Sequence, residues 1–99
     1  MIERIVLIKL HDEHASPGAR AEVAAHTRAV LPTVPGLGAV SVSTPADEKS
    51  AGSWDLSIVA HFDKLDDIAP YLAHPIHREY VDDFLRPKMA CIKAWNFER

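Results

Sequence analysis

The stretch IERIVLIKL at residues 2–10 constrains the fold more than any other part of the chain. Its isoleucines, valine and leucines mark a β-strand, and a strand sends alternate side chains to opposite faces. Arg4, Val6, Ile8 and Leu10 then share one face, and Ile5 and Leu7 lie on the other. A strand of this kind needs apolar cover on both sides, whereas a sheet with helices on one face only leaves the second face wet. The chain has 99 residues, enough for a single domain over 1–99. A domain of this size buries only about two thirds of its unfolded surface, and a second copy of the sheet is the natural cover. A homodimer is expected, with Ile5, Leu7 and Val59 at the contact.

The remaining elements follow from local signals. Ser16 caps a helix with Pro17 at its first position. Val23, Thr27, Val30, Leu31 and Val34 form its apolar stripe to about Val34, and Pro35 and Gly36 stop it. LGAVSVST alternates as a second strand, PADEKSAGS is a polar, mobile hairpin loop, and WDLSIVAHF is a third strand. Trp54, Leu56, Ile58, Ala60 and Phe62 share one face of that strand. Asp63 and Asp66 mark the next helix start, with Leu65, Ile68 and Leu72 inward and Pro70 making the element short or kinked. His74 before Pro75 ends that helix and starts the last one, which reaches about Arg86–Pro87. MACIKAWNF closes the chain as a fourth strand with apolar residues on both faces. The order β-α-β-β-α(α)-β is that of the ferredoxin-like split βαβ, an α+β fold with an antiparallel sheet and helices on one face.

Charge and composition exclude several classes. Lys and Arg number 11 against 14 Asp and Glu, a net of -3 without a basic cluster, so nucleic acid is not an expected partner. No apolar run approaches the ~20 residues of a membrane span. The opening MIERIVLIKL carries acid and base inside its apolar run with no small-residue cleavage site after it, so a cytoplasmic protein is expected. The single cysteine, Cys91, forms no intrachain disulfide and is expected to be packed and inert on its strand. HDEH at 11–14 and the two histidines around Pro75 lack helical spacing and further ligands, so no metal is expected. PGLG is a helix stop rather than a phosphate loop, and no cofactor is implied.

One constellation carries chemistry. On the last helix His77, Val81 and Phe84 fall at i, i+4 and i+7, with Tyr80 beside them. Burial and the helix N-terminus both disfavour the imidazolium, which points to a neutral His77 able to accept a proton. Tyr71, six residues earlier, faces the same cavity across the His74–Pro75 turn. The plainer role for His77 is a core histidine bonded to a buried carbonyl. His74 reads as a cap. Arg4 holds an anionic group such as a carboxylate, or else pairs with a nearby surface acid.

IVLIKLHDE, the Tyr71–His77 pattern Y-x-x-H-P-x-H and the closing strand resemble the Dabb family of stress-responsive dimeric α/β-barrel domains over nearly the whole chain. The resemblance implies a ferredoxin-like protomer whose sheet packs on that of a second copy to form a dimeric α+β barrel. Among olivetolic acid cyclase-type members, which are polyketide cyclases, a tyrosine and a histidine matching Tyr71 and His77 serve an intramolecular aldol condensation, the histidine as base. The chain departs from that type at Arg4 (a histidine there), His26 (a tyrosine), and Val23 and Lys88 (large aromatics), and Asn96 stands where the family frequently has a closing acid. The expectation is a homodimer binding a small, partly apolar molecule, aromatic or polyketide-like. His77 and Tyr71 are its candidate catalytic pair, and Arg4, Val6, Ile8, His26, Ile58 and Phe84 line the site. The alternatives are a non-catalytic stress-associated dimer and an oxygenase or haem-related barrel using His26 and His77.

Overall fold

A computed structural model describes all residues 1–99. β1 (Ile2–Leu10) lies inside a four-stranded antiparallel sheet, between β3 (Leu56–Phe62) and β4 (Met89–Glu98), with β2 (Val40–Ser43) on the far side of β3. This is the split βαβ order expected from the sequence. The register sets Val6 against Ile58 and Ala94 on the helix side, and Ile5 against Val59 and Trp95 on the outer side. Every second residue of β3 (Leu56, Ile58, Ala60, Phe62) is buried, so this strand's alternation reads directly as one covered face.

Helix α1 (Pro17–Val30) starts as predicted, with Ser16 Oγ accepting the Ala19 N–H at 3.2 Å. It ends at Val30 and passes through one 3₁₀ turn, Leu31–Thr33, instead of running on to Val34. Pro32 cannot donate to a continuing α ladder, which explains the shortening. Val23, Thr27, Leu31 and Val34 are nevertheless buried, so the stripe survives the change of winding. Gly36, at φ 95°, then turns the chain through the left-handed region open to glycine.

The segment read as a mobile hairpin loop contains a short helix, α2 (Glu48–Ser53). Asp47 caps it: its Oδ1 accepts the Ser50 N–H at 2.8 Å, and that hydrogen bonding holds its carboxyl below the ordinary value. Lys9 Nζ ties the helix to the sheet by donating to the Ala51 carbonyl at 3.3 Å. A polar segment thus stands on a cap and one long-range tie, without an apolar stripe.

Beyond β3, a 3₁₀ turn (Leu65–Asp67) precedes α3 (Ile68–Ala73), with no side-chain cap at either start. The tighter winding rotates Leu65 outward, where it is 59% exposed rather than inward as expected, and leaves Ile68 and Tyr71 buried. Pro70 sits in the first turn of α3, where a missing N–H costs little. α4 (Pro75–Glu79) continues into a π-helical segment, Tyr80–Leu85, in which the Arg86 N–H reaches the Val81 carbonyl at 2.8 Å. The wider turn breaks the expected stripe: Tyr80 and Leu85 are buried, while Phe84 turns toward α1.

Helices cover β1 and β3 but leave β4 open. Trp95 and Phe97 are 44% and 52% exposed on the outer face, and Ile92 is 42% exposed on the helix side. Cys91 is exposed as well, contrary to the packed position expected, because β4 is an edge strand with no layer over it. No helix is long and apolar enough to cross a membrane.

Candidate functional site

Between the helix side of the sheet and the α3–α4 segment lies a cavity of about 70 Å³. Its floor comes from β1 (Arg4, Val6, Ile8) and β3 (Ile58, Ala60), and its roof includes Tyr71, Leu72, His77 and Tyr80. Aside from Arg4, Tyr71, His77 and Tyr80, its walls are apolar.

The HPxH segment places His77 by purely local means. His74 has extended backbone and caps α4, its Nδ1 accepting the Ile76 N–H at 3.1 Å, with Pro75 at the first helical position. One turn later, His77 Nδ1 lies 3.2 Å from the Leu72 carbonyl oxygen. A carbonyl only accepts, so Nδ1 carries the proton and the neutral ring keeps its lone pair on Nε2. Burial pushes the His77 pKa below the ordinary histidine value, against the opposing pull of the Leu72 carbonyl, and the nearby Arg4 charge adds to the lowering. The ring centroids of Tyr71 and His77 are 4.6 Å apart, and Phe62 braces Tyr71 edge-on at 5.1 Å. Burial pushes the Tyr71 phenol up to about 12, with the Arg4 charge pulling the other way, so at neutral pH its hydroxyl is a donor.

The two other polar groups behave differently. Thr27 Oγ1 donates to the Val23 carbonyl at 2.8 Å and lies 2.7 Å from the Tyr80 hydroxyl. Thr27 has one hydroxyl hydrogen, so Tyr80 is the donor in that pair. Arg4 is half-buried and donates from Nη1 to Asn96 Oδ1 at 3.0 Å, and it takes part in no ion pair. The surface salt bridge weighed for it does not form. Its cross-strand neighbour Asn96 is an amide.

Of the residues expected at the site, Arg4, Val6, Ile8, Ile58, Tyr71 and His77 all meet in this cavity. His26 and Phe84 do not line it. They stack at 3.9 Å in a separate groove of about 470 Å³ between α1 and the α4 side, with Lys88 Nζ 4.2 Å above the Phe84 ring. His26 and His77 therefore open into different spaces, which removes them as a shared pair of haem ligands. Val23, matched to an aromatic in the cyclase type, is buried on the inner face of α1. Leu31, Tyr80 and Ile92 also line the cavity, and Asn96 holds Arg4. Asn96 lies 92 positions from Arg4, so only the β1–β4 register brings the two together.

Sheet order, helix placement and this cavity define a ferredoxin-like α+β domain with a small apolar site between its layers. The family model Dabb, Stress responsive A/B Barrel Domain, matches residues 2–98, and the chain belongs to that family. No curated protein sequence matches it. Among solved structures, a Dabb family protein with a ferredoxin-like fold from Mesorhizobium loti is similar at TM-score 0.82 and 17% identity, covering 99% of this chain and 95% of that one. A dimeric ferredoxin-like protein of unknown function from Thermobifida fusca is similar at TM-score 0.79 and 26% identity, covering 99% and 90%. A hydroxynitrile lyase from Passiflora edulis shares the fold at TM-score 0.75 and 14% identity, covering 97% and 90%.

Proposed function

We propose that the protein is a homodimer that binds a small, partly apolar molecule, aromatic or polyketide-like, in the cavity of each protomer, and that His77 and Tyr71 perform acid–base chemistry on it. The observation that carries this reading is the pairing of a donor and an acceptor in one apolar space. The Tyr71 hydroxyl keeps its proton as a donor, and His77, which lines the same cavity and is anchored through Nδ1 to Leu72, keeps its lone pair on Nε2. In such a pair Nε2 takes a proton from a carbon next to a carbonyl. The Tyr71 O–H meanwhile holds the carbonyl oxygen as its charge develops, and the proton returns from Nε2 to product or solvent. The cyclase-type reaction is one instance of this chemistry. A lyase on the same fold in Passiflora edulis, and a relative described as dimeric, support the enzyme and dimer parts of the reading.

The test combines titration and binding. His77, assigned with His77→Asn, should titrate by NMR below the midpoint of free histidine. Aromatic acids or short polyketide mimics should raise the melting temperature of wild type, and the rise should weaken in Tyr71→Phe and His77→Asn. A raised His77 midpoint, or both variants matching wild type in ligand response, leaves the non-catalytic dimer as the function.

A further inference from the structure

We propose that Arg4 makes the cavity selective for an organic acid, its carboxylate held by the guanidinium and its apolar body lying along the sheet, with Asn96 keeping the guanidinium in place. The proposal rests on the reading of the cavity as a binding site and names the class of molecule it takes. Four of the other arginines, Arg20, Arg78, Arg86 and Arg99, pair with carboxylates, and Arg28 donates twice to the Val42 carbonyl. Arg4 alone is half-buried against an apolar floor with a single bond to a neutral amide. A guanidinium has five donors in a planar fork, and a partly desolvated one without a counter-charge is unfavourable until an anion arrives. The groups across the cavity do not supply that anion, since Tyr71 keeps its proton and His77 is uncharged or positive. Asn96 is what leaves the charge open: its amide orients Nη1 without neutralising it, as an aspartate there would. A carboxylate matches the fork with two parallel bonds. Its neighbouring carbon then lies in the space shared by Tyr71 and His77.

Phenylacetate and phenylacetamide have nearly the same shape and differ in charge, which makes them a suitable probe pair for calorimetric titration. Wild type should bind the acid at least about tenfold more tightly than the amide, with the preference shrinking at high salt. In Arg4→Gln the two affinities should converge to within about twofold, through loss of acid binding rather than gain of amide binding. Asn96→Asp should produce the same convergence by placing a carboxylate on Arg4 while leaving the arginine in the chain. Equal binding of both probes by wild type, or a preference that survives Arg4→Gln, overturns the selectivity and leaves the cavity reading standing. Failure of wild type to bind either probe at millimolar concentration overturns both.

Discussion

At the Leu10 end of β1, Asp55 is fully buried with all its partners in place. The Leu10 N–H donates to Oδ2 at 2.7 Å, Arg20 donates to Oδ1 at 3.2 and 2.9 Å, and Lys9 Nζ lies 3.5 Å away. At the Ile2 end of the same strand, Arg4 is half-buried with an amide as its single partner. The first charge is closed on itself and locks α1 and the start of β3 to the sheet. The second is left open toward a cavity. Buried charges that complete one another hold a fold together, and one left incomplete among apolar walls marks where something else belongs.

Substitution at the two ends tests this contrast directly, and the largest effect is expected at Asp55. Asp55→Ala leaves Arg20 and the Leu10 N–H without their acceptor and Lys9 without its ion-pair partner, a loss of about 3–5 kcal/mol. For a chain this size that lowers the melting temperature by roughly 15–30 °C. Arg4→Leu, by contrast, removes an uncompensated charge and should leave stability within about 1 kcal/mol of wild type. Urea melts of the two variants measure both. Comparable losses would erase the distinction between lock and site.

A smaller effect is expected on the outer face of β1, where Ile5 stands beside Val59 and Trp95. Wild type should scatter light as a particle of twice the 11.0 kDa chain mass. Val59→Lys buries a charge at the proposed contact, costing about 1–3 kcal/mol of association, and should shift the mass toward monomer or cause aggregation. A wild type that scatters as a monomer overturns the dimer, and a Val59→Lys protein that stays fully dimeric moves the contact elsewhere.

The smallest effect is in the pH dependence at the cavity end. The folded His77 midpoint lies below the ordinary histidine value, so between the two midpoints the unfolded chain binds more protons than the native one. Stability therefore rises with pH across that window and falls as acid is added, and His77→Asn should flatten the slope. For Tyr71 the sign is opposite. From the ordinary phenol value of 10.0 up to about 12 the native state keeps a proton that the unfolded chain loses, so stability falls as pH rises. Tyr71→Phe should remove that component, as read from melts across both ranges.

Much of this architecture can be read from local signals. The Ser16–Pro17 start, the alternation of β3 and the His74–Pro75 junction depend on neighbours a few residues apart, and each stands where expected. The errors come from two other sources. Winding that departs from 3.6 residues per turn moved Leu65 outward and sent Phe84 to the wrong side for the cavity, and no residue pattern announces a π turn. The remaining features depend on pairs far apart in the chain: Arg4 with Asn96, and Asp55 with Leu10 and Arg20, meet only once the strands are in register. Asp47 is a local signal that was missed: it caps α2, a helix without an apolar stripe, in a segment expected to be a mobile loop.

The direction of the Thr27–Tyr80 hydrogen bond has a spectroscopic consequence. The protein has two tyrosines, and their hydroxyl hydrogens have opposite fates. Tyr80 gives its hydrogen to an oxygen that has already given its own to Val23, deep under α1. That hydrogen should exchange slowly with solvent and stand as a resolved resonance in the proton spectrum. Tyr71 has no such acceptor within the chain, so its hydroxyl should exchange quickly and stay invisible in the free protein. Ligand that closes over the cavity should bring a second phenolic resonance into view while the first stays where it was.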